Sequence, residues 1–99
     1  MLKIYDEKYI ERKLVDKVKA LGGRAYKFVS PGNSGVPDRI IVLPGGKIGF
    51  AEMKRPGGKP SKLQRNQIQF LRNLDCKAEI LSTVECIDKF LEKIRGDEK

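Results

Sequence analysis

"GVPDRIIVLPGGKIGFAEMK", Gly35 to Lys54, is the stretch whose reading decides the fold. Two strand-like runs, Arg39 to Leu43 and Lys47 to Lys54, flank Pro44-Gly45-Gly46, which is hairpin-turn composition. "RIIVL" is a short continuous apolar run, the mark of a central buried strand. If Pro44, Gly45 and Gly46 form a three-residue loop with Gly46 left-handed, Leu43 pairs with Lys47. Counting outward then sets Asp38 opposite Glu52 on one face, with Cβ atoms about 5 Å apart. A four-residue loop would pair Asp38 with Met53 and send the two acids to opposite faces. The glycine that ends the loop favours the first register. Glu52 and Lys54, two apart on one strand, project to the same side.

Two carboxylates at that spacing repel, and each raises the other's pKa. A cation between them relieves this, and oxygen ligands of this type suit Mg²⁺ or Mn²⁺. A plainer reading takes Asp38 as a turn former after Pro37 and Glu52–Lys54 as an exposed ion pair. Three charged groups at matched strand ends, beside a buried strand, point instead to a site.

The flanking chain supplies a frame. Ile10, Leu14 and Val18 recur every four residues from Asp6 to Leu21, predicting a helix stopped by Gly22-Gly23. Glu11 lies at the edge of that apolar stripe, turned towards the sheet. "RAYKFVS" (Arg24 to Ser30) alternates as a strand does, and "PGNSGVP" reads as a mobile loop. "RPGGKPSK" is a second, basic loop. "SKLQ" is a capping box, Ser61 with Gln64, opening a helix to about Leu74, and "STVE" is a second, Ser82 with Glu85. "KAEILS" between these helices is a fourth strand. Ile87, Phe90, Leu91 and Ile94 mark the last helix. The expected order is αβββαβα: an α/β fold with a central mixed sheet flanked by helices. The 99 residues fit one domain, with 95–99 expected as a frayed tail.

Composition narrows the chemistry. Lys and Arg total 21 against 13 for Asp and Glu, a net charge of +8, which suits a polyanion as partner, nucleic acid before membrane. Arg55, Lys59, Lys62 and Arg65 cluster near the site end of the third strand as candidates for phosphate-backbone contacts. The chain has no His and only two Cys, Cys76 and Cys86, so a Cys/His zinc site and Ser-His or Cys-His nucleophiles are excluded. The cysteines read as small apolar residues in a reducing cytosol. No stretch approaches a membrane span, and no leader pattern opens the sequence.

The ordered set of Glu11, Gly35-x-Pro37-Asp38, Glu52-x-Lys54 and a helix carrying Gln64 resembles the PD-(D/E)xK nuclease superfamily. More narrowly, "ERKLVDKVKALGGRAYKFVSPGNSGVPDR" and "GGKPSKLQ" resemble the stand-alone VRR-NUC, or virus-type replication and repair, nucleases. The resemblance implies a restriction-endonuclease-like core and a Mg²⁺- or Mn²⁺-dependent phosphodiesterase. It makes Asp38, Glu52 and the Met53 carbonyl metal ligands, with Glu11 completing the shell directly or through water. Lys54 would orient or deprotonate the attacking water. Gln64 would support Lys54 or the nucleophile, although it equally fits as the capping partner of Ser61. Lys27 would contact the scissile phosphate or stand as a surface lysine. The implied substrate is branched DNA such as a Holliday junction, with flaps, nicked duplex and supercoiled plasmid as alternatives, cut by a homodimer; the sequence does not locate the pairing surface, for which the last helix and the first strand are candidates. The implied setting is the cytoplasm of a bacterium or phage-infected host, with a replication or repair partner protein. A basic, non-catalytic nucleic-acid-binding module and a nuclease subunit silent without its partner are the competing readings.

Overall fold

The computed structural model describes residues 6–96. In chain order the elements are α1 (Glu7–Ala20), β1 (Arg24–Lys27), β2 (Arg39–Leu43), β3 (Lys47–Met53), α2 (Lys62–Asn73), β4 (Lys77–Leu81) and α3 (Val84–Arg95). This is the expected αβββαβα order. The sheet runs β1-β2-β3-β4, with β1, β2 and β3 antiparallel and β4 parallel to β3. A parallel neighbour needs a crossover, and α2 supplies it.

The hairpin takes the three-residue loop. Leu43 pairs with Lys47, Ile41 with Gly49 and Arg39 with Ala51. Gly45 and Gly46 make the reversal at φ +89° and +72°, a region costly for a side chain with a Cβ. Alternation then sorts the side chains. Ile41, Leu43, Ala51 and Met53 point to one face, where Leu81 joins them in the core. Ile10, Leu14 and Val18 of α1 and Ile87, Phe90, Leu91 and Ile94 of α3 close over that face, all at most 5 % exposed. The apolar side of α3 is thus spent largely inside the chain. Ile40, Val42, Ile48, Phe50 and Glu52 point to the other face, where α2 lies chiefly over β4.

Caps fix the helix ends. Asp6 Oδ1 accepts from the Tyr9 N–H at 2.8 Å, and Ser61 with Gln64 forms both bonds of a capping box. The second expected box does not form. Thr83, not Ser82, caps α3, its Oγ1 accepting from the Cys86 N–H at 3.1 Å, and Ser82 is the one residue between the end of β4 at Leu81 and this cap. Strand β1 ends at Lys27 rather than Ser30. The Phe28 N–H makes one more rung to the Asp38 carbonyl, and the chain then turns, with Asn33 N–H bonded to Ser30 O. The tail begins later than expected, since α3 runs through Arg95 and ends on left-handed Gly96, and residues 97–99 lie outside those described. Cys76 and Cys86 are free and half-buried. No helix among the described residues is long and apolar enough to cross a membrane.

A Cβ at residue 46 would meet nothing within 4 Å, so substitution there probes backbone conformation alone. Gly46→Val is expected to lose about 1–2 kcal/mol, and Gly46→Asn clearly less, because Asn tolerates the left-handed region. Thermal melts followed by circular dichroism check the pair. Equal melting temperatures for both variants and the parent would refute the hairpin geometry.

Candidate active site

Asp38 precedes β2, and Glu52 to Lys54 close β3. One step beyond the Arg39–Ala51 pair, Asp38 lies across from Glu52. Asp38 Oδ2 accepts the Met53 N–H at 2.8 Å, so a side chain closes the ladder where β2 has ended. On the other edge of β3, the Lys54 N–H reaches the Leu81 carbonyl at 2.9 Å. The end of β3 is therefore pinned from both sides, and its side-chain directions are set by backbone bonds rather than by flexible stems.

Glu52 is 1 % exposed, and neither carboxylate oxygen accepts a hydrogen bond. The Lys54 ammonium lies 3.1 Å from Oε2 and forms an ion pair with it. Burial pushes the Glu52 carboxyl from 4.5 up to about 7, the Asp38 charge pushes the same way, and Lys54 opposes both. A carboxylate taken from water without donors costs several kcal/mol, and natural proteins rarely leave one so. The donor set is two acids and an outward-reaching main chain, all oxygen, which fits a hard divalent cation. Among the described residues no three acidic or thiol side chains gather closely enough to hold an ion.

Glu11 is held elsewhere. Its Oε2 accepts from Arg39 Nε at 2.8 Å, and Arg39 Nη1 also donates to the Ala25 carbonyl at 3.0 Å. Arg39 thereby ties α1, β1 and β2 together one residue after Asp38. Sequence reading missed this strut, because an arginine following Asp38 carries no signal of its partner 28 residues away. It also missed Glu7, whose charge adds to the upward push on Glu52. The only sequence signal was its spacing of four from Glu11, which puts both on one helix face.

The end of the "PGNSGVP" segment, read from sequence as a mobile loop, packs on α2. Gly35 sits at φ +82°, and a Cβ there would come within 2.8 Å of the Leu63 backbone. The Gln67 Nε2 donates to the Ser34 carbonyl, and Pro37 is fully buried. The loop is thus pressed on the start of α2, and this holds Asp38 in place.

Gln64 Oε1 accepts from the Ser61 N–H at 2.8 Å, completing the capping box. Arg55, Lys59, Lys62 and Arg65 are all exposed on the turn after β3 and the first helical turn beyond it. Arg65 also donates to the Pro60 carbonyl. Lys27 is exposed and pairs with Arg39, one ladder step from Asp38, so it shares Arg39's row and not that of the acids.

The chain is similar to known proteins in sequence and in fold. Residues 6–85 match the VRR-NUC domain family. Over 63 residues the chain is 54 % identical to p44 of Acyrthosiphon pisum secondary endosymbiont phage 1, whose name proposes a nuclease; the match covers 64 % of this chain and 68 % of that protein. A solved structure described as a VRR-NUC domain superposes with a TM-score of 0.79 at 29 % identity, over 87 % of this chain and 94 % of the other.

The raised Glu52 carboxyl has a stability consequence. Its proton is held more tightly in the folded than in the unfolded chain. Its stabilising contribution is therefore full below about pH 4.5 and is lost as pH rises towards 7. In chelator, Glu52→Gln is expected to be more stable than the parent at pH 8, by roughly 2 kcal/mol, and to lose that advantage by pH 4.5. Paired thermal melts at the two pH values measure this. A variant less stable than its parent at pH 8 would show that the carboxylate is satisfied after all.

Proposed function

The chain belongs to the VRR-NUC domain family, and on that premise we propose that it is a divalent-cation-dependent, structure-selective DNA endonuclease that hydrolyses phosphodiester bonds. The observation that carries the reading is the buried, donor-less Glu52 carboxylate facing Asp38, with the Lys54 ammonium 3.1 Å away. Asp38, Glu52 and the Met53 carbonyl would hold Mg²⁺ or Mn²⁺. An extended residue directs its N–H and C=O to the same strand edge, so the Met53 carbonyl faces the side from which Asp38 takes its N–H. When bound, the cation neutralises phosphate oxygens and lowers the pKa of attached water.

The protein groups do the rest. Lys54, 18 % exposed, is the one positive side chain packed against the acids among the described residues; it holds the attacking water and steadies the charge that grows on phosphate. Glu11, turned to Arg39, acts at most through water, and its larger contribution is to keep Arg39 and hence the start of β2 in place. Arg55, Lys59, Lys62, Arg65 and Lys27 grip the sugar–phosphate backbone, giving affinity without base reading. Two copies related by a twofold axis would present two such sites, which suits a branched substrate such as a Holliday junction. A replication or repair partner protein would reveal itself as activity that is weak for the chain alone and restored on mixing.

A cleavage panel tests the reading: four-way junction, flap, nicked, single-stranded and linear DNA, each in Mg²⁺ and in Mn²⁺. Branched DNA is expected to be cut, and chelator to stop it. Asp38→Asn and Lys54→Ala should each lower the cleavage rate by roughly 100-fold or more while changing DNA affinity only a few-fold, as expected for groups acting in the transition state. No cleavage with either ion, together with tighter binding by Asp38→Asn, would identify a plain basic binder. Removing Lys59, Lys62 and Arg65 together should flatten the dependence of log affinity on log salt by about 0.9 for each phosphate that is no longer neutralised. An unchanged slope would move the DNA path off this surface.

A further inference from the structure

The hairpin register puts the acids at the end of an open strip of rings. The Phe28 N–H bonds to the Asp38 carbonyl, so Phe28 lies across from Asp38, which lies across from Glu52. The next row on the same face is Tyr26, Ile40 and Phe50, and the row after it Arg24, Val42 and Ile48. Helix α2 is seated over β4, with Ile68 buried and Arg72 Nε donating to the Ala78 carbonyl at 2.9 Å. The β1 side of these rows is left open, and Tyr26 stands 50 % exposed. An exposed apolar surface that runs into a site marks a place where something binds.

The residues that β1 turns to this face are of a particular kind. Leading away from Asp38 they are Phe28, Tyr26 and Arg24: two aromatic rings and a guanidinium, at steps of about 7 Å along the strand. Each is steadied by a neighbour. The Phe28 ring lies 5.9 Å from that of Phe50, tilted by 50°, and Arg24 Cζ lies 5.6 Å from the centre of the Tyr26 ring. Among the described residues, Asp38 and Glu52 are the only acids that the register sets on this face of β1, β2 and β3.

We propose that this strip receives a single DNA strand: its backbone leads to the acids, its unpaired bases stack on Phe28 and Tyr26, and Arg24 holds the strand beyond them. The occupant follows from the chemistry. Every base has a π face, so rings at regular steps accept a strand whatever its sequence. Paired bases stack on one another inside a duplex, so rings on a flat sheet meet only unpaired ones. The guanidinium offers charge to a phosphate and a planar face to a base. A chain of net charge +8, with no acid on the strip besides the site's own, suits a polyanion there. The strip is continuous with the acids, so a strand lying on it reaches Asp38 without leaving the sheet. This role rests on the proposed nuclease and names the part of a branched substrate that the site selects, the unpaired arm beside the branch.

Fluorescence anisotropy of a labelled oligothymidylate tests this on the whole chain and on Tyr26→Ala, Tyr26→Leu, Tyr26→Phe and Arg24→Gln. It is measured in chelator, so that no strand is cut, with a blunt duplex of the same length as control. Tyr26 and Arg24 are exposed, and circular dichroism verifies that each variant folds. Tyr26→Ala and Tyr26→Leu are expected to weaken single-strand binding by roughly tenfold and Tyr26→Phe by less than about twofold, with duplex binding unchanged. Arg24→Gln should weaken the single strand a few-fold. Full affinity in Tyr26→Leu would make the contact merely apolar and overturn the assignment. Equal weakening on duplex and single strand, or a parent that does not hold the single strand, would overturn it as well. Sedimentation velocity without DNA gives a further check. A Tyr26 variant of altered mass in solution that binds the strand as the parent does would give this face to a protein contact, which also overturns it. Binding in chelator is independent of cleavage, so the two readings fail separately. A chain that holds the strand through Tyr26 yet cuts nothing in Mg²⁺ or Mn²⁺ keeps the strip and loses the nuclease; one that cuts branched DNA while every Tyr26 variant binds alike does the reverse.

Discussion

A carboxylate kept out of water with nothing donating to it is the constraint around which this small domain is arranged. Glu52 sits at 1 % exposure with Asp38 opposite and a single ammonium paired with it. Left to itself such a group would protonate or draw in water. That it does neither cheaply is a cost to stability, and a chain of this size has little stability to spare. Costs of this kind persist where surrounding structure over-determines them, which is typical of working sites.

The over-determination is visible in backbone bonds. The hairpin register sets Asp38 across from Glu52, the Asp38–Met53 bond and the Lys54–Leu81 bond pin the end of β3, and Gly35 seats the preceding loop on α2. The Arg39–Glu11 pair adds a strut from α1 to the start of β2. Its side chains are only 14 % and 27 % exposed, so its charges are less screened than those of a surface pair. The core proper is on the opposite face, under α1 and α3. Site and core thus share the same three strands but not the same side chains, and the acids carry their charge without facing the buried apolar cluster.

Much of this was legible in the chain. Helices α1 and α2 and strands β2 and β3 could be placed within a residue or two, because Asp6 and Ser61 are strong caps, the apolar stripe of α1 is regular, and Pro44-Gly45-Gly46 allows few hairpin geometries. That same turn made the Asp38–Glu52 pairing readable by counting. What could not be read was tertiary. Ser82 and Thr83 are both good caps, and only the exit from β4 decides between them. "PGNSGVP" has loop composition, and nothing local shows that Gly35 packs against Leu63. Glu11 was placed correctly towards the sheet, but its partner Arg39 is chosen by the packing of α1 on β1. Gln64 fits both a helix cap and a site role in the sequence, and the fold shows its cap bond.

The central claim is that the two opposed acids share a cation. Diffraction from crystals soaked in Mn²⁺, collected at a wavelength where manganese scatters anomalously, addresses it without relying on activity. The expected result is one strong peak about 2.1 Å from oxygens of Asp38 and Glu52 and from the Met53 carbonyl, the spacing of a small octahedral divalent ion. Manganese bound only at surface acids, with the Glu52 carboxyl facing no ion, would contradict it.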